Sequence, residues 1–480
     1  MNRRMVFTMV GRIIKLEAVL MALPLLVSAI YNEKCFWAFL ITIGIALVLG
    51  FAITIICKPG NHIIYAKEGF VTVSLAWIAL SAIGALPFVI SGEIKSYFDA
   101  FFETVSGFTT TGASILTDVE SMSRGLLFWR SFTHWVGGMG VLVFIMAIIP
   151  NMTDRSIHII RAEMPGPVVG KLVPKTKDTA KILYIIYVVL TAVEIIMLLF
   201  GGMPMFDSIV HSFGTAGTGG FGIKANSIAG YNHYIQWVIT VFMVLFGINF
   251  NLFFLVLIGK VKTVLKSTEL WVYFGIVAAS IGIITFNIYP LVKNVADCLR
   301  LSSFQVASII STTGYATTDF NLWPSLSKAV ILILMIVGGC AGSTAGGLKV
   351  SRCVILFRLI KSELRHSLHP NSVSVVKFEG KKVEKSVLTN VSIYFAIYIL
   401  CLFSTFLMLS IEPFDMETNL TAAFTCFNNV GPGLGAVGPT SNFSAYSDFS
   451  KVIMSIAMLL GRLEIFPMII ALSPSTWAKK

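Results

Sequence analysis

Thr109-Thr110-Thr111-Gly112, Ala216-Gly217-Thr218-Gly219-Gly220, Ser311-Thr312-Thr313-Gly314 and Asn428-Asn429-Val430-Gly431-Pro432-Gly433 are four short glycine-centred segments, each set between two long apolar runs. They recur at intervals of roughly 100 residues, and an apolar–loop–apolar unit repeated at such a period marks an internally repeated membrane protein. Four such loops meeting on one axis would let backbone carbonyls replace the water around a cation.

The composition agrees. The chain has 480 residues, 56% hydrophobic and 12% charged, with a mean hydropathy of +0.84. A soluble domain is about a quarter charged, and the apolar runs here are long enough to span roughly 30 Å of hydrocarbon as helix. The net charge of +12 reads as membrane topology, not as nucleic-acid binding. Lys and Arg collect at the N-terminus (Arg3, Arg4, Arg12, Lys15), over 151–181 and over 348–386, which the positive-inside rule puts in the cytoplasm with the N-terminus. The segments around the glycine loops lean acidic (Glu103, Asp118, Glu120, Asp319, Glu412, Asp448) and so face outward, where acidity raises the local cation concentration. The seven cysteines show no Cys-x-x-Cys spacing and read as buried thiols. The first apolar run admits two readings, a retained helix or a cleavable signal. A second run follows at once and pairs with it as a hairpin.

The expected fold is an all-α integral membrane protein, with four helix–pore-loop–helix repeats in pseudo-fourfold arrangement after an N-terminal two-helix hairpin. The hairpin (helices 9–30 and 35–57) occupies 1–66. Repeat 1 covers 67–150, repeat 2 with a cytoplasmic linker 151–262, repeat 3 with an intramembrane gating loop 263–364, and repeat 4 with a second cytoplasmic linker 365–480. The segments before the loops, 97–108, 206–214, 295–310 and 419–427, are too short to cross and suit re-entrant half-helices. The return helices are expected at 127–149, 234–258, 327–360 and 449–471, for about ten full spans in all. Pro87, Pro204, Pro290 and Pro413 stand where Pro would stop the helix before each half-helix.

The candidate filter is one Gly from each loop, Gly112, Gly219, Gly314 and Gly431, with the residue before it, Thr111, Thr218, Thr313 and Val430. Potassium is large and weakly hydrated, so a filter must present several oxygens at once. Successive carbonyls point one way only through dihedrals that glycine reaches freely. Each half-helix precedes its loop, so its C-terminal end, carrying roughly half a negative charge, faces the cation.

Below the filter the third return helix is interrupted. Gly338, Gly339, Gly342, Gly346 and Gly347, with Ser343 and Thr344 between them, fall within one short stretch. Glycines cost a helix about 1 kcal/mol each, so the stretch is a loop lining a cavity or a close-packed glycine interface between helices. Arg462 stands in the apolar run 452–472. A charge at that depth costs at least about 2.5–3.5 kcal/mol on the insertion scale, so it needs a partner, either Glu464 or the carbonyls of 338–347. Arg130, His134, Glu194, His211 and Asn249 read as helix–helix contacts.

With these loops, Trp129-Arg130-Ser131, Trp135-Val136-Gly137-Gly138-Met139-Gly140, the 338–347 stretch and Gly461-Arg462-Leu463-Glu464-Ile465-Phe466, the chain resembles the Trk/Ktr/HKT superfamily of potassium transporters. The resemblance spans essentially the whole chain. The leading hairpin and the length are closer to the TrkH branch than to KtrB. It implies a potassium-translocating subunit of the bacterial inner membrane, a homodimer with one pore per protomer, seated on a cytosolic ring of TrkA-type nucleotide-binding subunits. It also implies that 338–347 is a gate and Arg462 its electrostatic latch. No Gly-x-Gly-x-x-Gly follows a strand here, so the nucleotide would bind the partner, with K+ as permeant ion on this chain. A gated conductor and a sodium- or proton-coupled carrier both fit these residues. An enzyme does not, since His-Glu-x-x-His, Gly-x-Ser-x-Gly and paired intramembrane aspartates are missing from the sequence.

Overall fold

The computed structural model describes residues 1–59, 66–140, 176–371 and 375–478. The first helices, Arg3–Leu20 and Ala22–Ile30, run as one apolar element and turn back through Cys35–Ile56. Asn2 caps the start by accepting from the Met5 N–H at 3.2 Å. The helix therefore begins at Arg3, and the N-terminal basic residues lie on it instead of preceding it. The hairpin crosses at two glycines. A Cβ at Gly50 would sit 2.9 Å from the Gly11 carbonyl oxygen, a close approach of backbones that small residues permit in membranes.

Four repeats follow. Their half-helices are Tyr97–Phe108, Met205–Gly217, Val295–Ile310 and Met416–Asn428, of 12, 13, 16 and 13 residues. At 1.5 Å per residue all are shorter than a bilayer core of about 30 Å. Ser96, Asn294 and Asp415 accept from backbone N–H groups in the first turns of three of them, and Pro204 opens the fourth. The second and third prolines depart from expectation. Pro204 starts its half-helix, and Pro290 lies inside Thr268–Val292 near its end, where its missing N–H leaves one helical hydrogen bond unmade. Pro87 opens the short helix Leu86–Ile90.

The repeats close into a ring. The return helix of repeat 1, Arg124–Gly138, packs on the half-helix of repeat 2. His233–Phe246 packs on the half-helix of repeat 3, Ser325–Val337 on that of repeat 4, and Asp448–Arg462 on that of repeat 1. This is the pseudo-fourfold all-α membrane architecture that the repeats imply. Among the described residues the one departure is a two-stranded hairpin pairing Lys377–Phe378 with Lys381–Lys382.

The continuous spans are fewer than the ten expected. Among the described residues six helices are long and apolar enough to cross a membrane, or seven if one bent pair is a single span. The reason is that the return helices are broken. His233–Phe246 and Phe250–Leu257 meet at 93°. Ser325–Val337 and Val350–Leu368 are separated by the glycine stretch. Asp448–Arg462 and Phe466–Leu472 part at Leu463–Ile465, where Glu464 and Ile465 hold φ of +58° and +63°. The first return helix ends at Gly138; its expected remainder, 141–149, and most of the basic 151–181 linker lie outside the described residues. The second basic stretch, 348–386, expected as a loop, begins as the helix Val350–Leu368. All seven cysteines are free thiols, four of them buried.

Candidate ion pathway

Each half-helix ends in the same backbone figure. Thr110, Thr218, Thr312 and Asn429 take left-handed φ of 55–57°. The next N–H then reaches back five residues: Thr111 to Ser106 O at 2.8 Å, Gly219 to Gly214 O at 2.8 Å, Thr313 to Ser308 O at 2.8 Å and Val430 to Thr425 O at 3.0 Å. That is the 6→1 bond of a Schellman helix end, whose left-handed position normally carries glycine. Three β-branched threonines there are true outliers. Such strain persists only where surroundings over-determine it, and it gathers at functional sites. Gly112, Gly220, Gly314 and Gly431 follow, again with positive φ of 80°, 72°, 86° and 104°.

This figure corrects the register of the second loop. Thr218 matches Thr110, and Gly219 matches Thr111. The glycine equivalent to Gly112, Gly314 and Gly431 is Gly220. Gly217 and Gly219 are glycines for a different reason: a Cβ on either would overlap His134, the first at its carbonyl and the second at its ring. His134 in turn stacks on Phe221 with centroids 4.1 Å apart.

The four loops meet. A Cβ at Gly112 would overlap the carbonyl oxygen of Gly219, one at Gly220 that of Thr313, and one at Gly314 that of Val430. A Cβ at Gly431 would lie 2.8 Å from the carbonyl oxygen of Thr111. The chain of contacts passes through loops 1, 2, 3 and 4 and returns to 1. The carbonyls of Thr111, Gly219, Thr313 and Val430 thus lie in one ring, with four helix C-termini behind them. Such an arrangement offers neutral oxygens and a negative field to a cation. Among the described residues no group of three or more His, Cys, Asp or Glu is arranged to hold a metal. A cavity of about 160 Å³ lies over the loops, lined by Gly112, Gly220, Gly314, Gly431, Ser114 and Asn442.

Side chains brace the ring. Thr109 and Thr111 hydroxyls are 2.8 Å apart, and Ser311 and Thr313 hydroxyls 2.7 Å apart. Asn429 Nδ2 donates across the junction to Thr111 Oγ1 at 2.9 Å and to Met458 O at 3.0 Å. Tyr315 donates to His211 O at 3.1 Å, tying loop 3 to the second half-helix. Glu103 departs from its reading as an outward acidic residue. It is 1% exposed, accepts from Arg130 Nε at 2.5 Å, and accepts from Ser114 Oγ and the Ile115 N–H at 3.0 Å each. Arg130 also donates to Gly222 O at 3.0 Å and stacks over Phe221. The pair therefore fastens loop 1 to loop 2. Single intramembrane charges far apart in sequence carried the only hint of this.

The stretch 338–347 lies beneath the ring. The Gly346 N–H donates to Thr312 Oγ1 at 2.7 Å, and a Cβ at Gly346 would overlap Asn428 O. Its glycines serve two ends. Gly338, Gly342 and Gly347 have positive φ of 67°, 74° and 78°, so the chain is a loop. Its neck is also a backbone-to-backbone contact, since a Cβ at Gly347 would lie 2.8 Å from Gly338 Cα. The loop's polar groups are held: Cys340 N–H by Gly247 O at 2.9 Å, Thr344 Oγ1 by Phe246 O at 3.2 Å, and Ser343 Oγ by Cys340 O at 2.7 Å. Gly339 packs against Ala345.

Arg462 takes carbonyls. It donates to Thr344 O at 2.7 Å, Gly137 O at 2.5 Å and Gly138 O at 2.8 Å, joining the loop to the end of the first return helix. Glu464, the other candidate, pairs with Arg352, whose Nη1 lies 3.0 Å from Oε1. A cavity of about 40 Å³ borders Arg462, Gly138 and Gly346.

The family model TrkH, described as a cation transport protein, matches residues 37–479. The chain is 35% identical over 486 residues to the Trk system potassium uptake protein TrkH of Salmonella typhimurium, covering 99% of this chain and 100% of that protein. It is 34% identical over 486 residues, with the same coverage, to the protein of that name from Escherichia coli strain K12. The crystal structure of the potassium transporter TrkH from Vibrio parahaemolyticus superposes with a TM-score of 0.89 at 31% identity, covering both chains completely. A multi-pass membrane architecture, a ring of four loops and full-length likeness to transporters, not enzymes, agree, and the chain belongs to the TrkH family of cation transport proteins.

Proposed function

We propose that this chain takes up potassium across the bacterial inner membrane as the gated, ion-conducting subunit of a two-component system. The observation that carries the reading is the ring of carbonyls from Thr111, Gly219, Thr313 and Val430, each pressed by a glycine of the neighbouring loop. The relatives named as potassium uptake proteins support the choice of ion. In this reading the filter comprises those four residues with Gly112, Gly220, Gly314 and Gly431. The stretch 338–347 is the gate, because it lies under the filter and bonds to Thr312. Arg462 is the latch that holds it and a positive barrier to a passing cation.

The same reading makes the protein a homodimer with one pathway per protomer. A cytosolic nucleotide-binding partner of TrkA type sets the gate from the basic face, and the N-terminus lies in the cytoplasm. The test is reconstitution into liposomes. Potassium and rubidium uptake should exceed sodium uptake, and planar bilayers should show unitary currents. Equal sodium flux sinks the filter assignment. Flux without unitary currents, strictly tied to a sodium or proton gradient, replaces the conductor with a carrier.

A further inference from the structure

Between Lys377–Phe378 and Lys381–Lys382 the chain turns through Glu379 and Gly380, with φ of +48° and +73°. Two-residue turns with both φ positive favour Asn-Gly or Asp-Gly. A glutamate at the first position carries left-handed strain, because its Cβ crowds the carbonyl that follows. That observed strain accompanies a specific contact. Glu379 Oε1 accepts from Ser267 Oγ at 3.1 Å and from the Glu269 N–H at 3.0 Å. Ser267 is the N-cap of Thr268–Val292, its side chain accepting from the Leu270 N–H. Glu379 thus satisfies another N–H at a helix start, where the field favours a carboxylate.

The second link begins where the first ends. Glu269 is 5% exposed, and its Oε1 accepts from the Ala341 N–H at 2.7 Å. Ala341 lies in the 338–347 stretch, next to Gly342, whose carbonyl accepts from the Phe250 N–H at 3.0 Å. The links run from hairpin to helix start to loop. Phe378 is buried and anchors the hairpin, and the Arg358 guanidinium donates to Lys377 O. A cavity of about 480 Å³ borders Asn249, Leu255, Ala341, Ile355, Phe378 and Glu379, giving the Glu379 side chain room to leave its two donors.

We propose that Glu379 and Glu269 are positioning residues for the gate, a carboxylate relay that holds 338–347 under the filter and transmits displacement of the hairpin to it. This rests on reading 338–347 as the gate. The test uses the full chain in liposomes and two measurements, hydrogen–deuterium exchange over 338–347 and rubidium uptake. Glu379→Gly removes the carboxylate while suiting the positive φ, so the hairpin survives. Glu269→Gln cuts the second link. Both should speed exchange at 338–347 severalfold and raise uptake, with preference over sodium unchanged. Because they act in series, the double variant should exceed Glu269→Gln by nothing measurable. Lys382→Gln, on the same hairpin, should change neither readout. Unchanged exchange in Glu379→Gly, or an equal effect of Lys382→Gln, overturns the relay. Faster exchange with unchanged uptake leaves the relay standing and overturns the gate assignment instead.

Discussion

At the residue scale the proposed filter loops are decided by four glycines that cannot accept a Cβ. Gly112, Gly220 and Gly314 each face a carbonyl oxygen that a methyl group would overlap, while at Gly431 the nearest atom is 2.8 Å away. Alanine at any of them also meets the strain of a positive φ that only glycine adopts freely. Alanine at the first three should therefore abolish potassium preference, and Gly431→Ala should be the mildest, measured as the rubidium-to-sodium uptake ratio in liposomes. A Gly431→Ala effect equal to the rest would contradict this packing. The glycine spacing made the loops legible in the sequence, but not the register of the second. Its Gly-Thr-Gly-Gly run holds two glycines that exist to clear His134, and nothing local separates them from Gly220. The buried pair Glu103–Arg130 was equally hidden, because a carboxylate on a half-helix looks like outer-surface acidity until its partner is placed. Glu103→Gln leaves Arg130 buried and uncompensated, which costs about 3–5 kcal/mol. The purified protein should unfold at a markedly lower temperature. Glu103→Gln with Arg130→Met should recover part of the loss if charge, and not shape, is the cause.

At the element scale the broken return helices set the pathway. The break at 338–347 was legible because five glycines leave no helix affordable there. The one at Leu463–Ile465 was not, because left-handed Glu464 and Ile465 are residues that local preference excludes from that conformation. Its cause is tertiary. Ending Asp448–Arg462 at this depth puts Arg462 against Thr344, Gly137 and Gly138 and leaves Glu464 to Arg352. At the break Arg462 and Glu464, two residues apart in sequence, therefore serve different partners. Hydrogen bonds from a charged donor contribute about 1.5–3 kcal/mol each. Arg462→Gln keeps a donor but loses the charge and the second arm. With 338–347 as the proposed gate, its equilibrium should shift toward opening by roughly ten- to hundredfold, read as open probability in planar bilayers. An unchanged open probability would make Arg462 a structural tie between two elements and nothing more.

At the scale of the whole molecule, closure of the ring makes every repeat depend on its neighbours, yet the apolar core is not uniform. One cluster joins the N-terminal hairpin to repeats 1 and 4, through residues such as Met9, Ile13, Phe39, Phe108, Tyr398 and Met458. Two others hold repeats 2 and 3. Glu33, in the turn of the hairpin, accepts from the Arg124 and Gly125 N–H groups at 2.8 and 2.9 Å, so the hairpin also caps the first return helix. It is thus a buttress on one side of the ring, outside the circuit of contacts between the four loops. Gly50 is a tight point between the two hairpin helices, 2.9 Å from the Gly11 carbonyl for a Cβ and 2.6 Å from Lys15 Cγ. Gly50→Leu should force the two helices apart at a cost of about 1–3 kcal/mol. The melting temperature of the purified protein should fall, and trypsin should cut repeat 1 before repeat 3. The rubidium-to-sodium ratio of the surviving folded molecules should stay at its original value. A loss of ion preference with unchanged melting would mean that the hairpin belongs to the pathway, and that the ring of four loops does not stand without it.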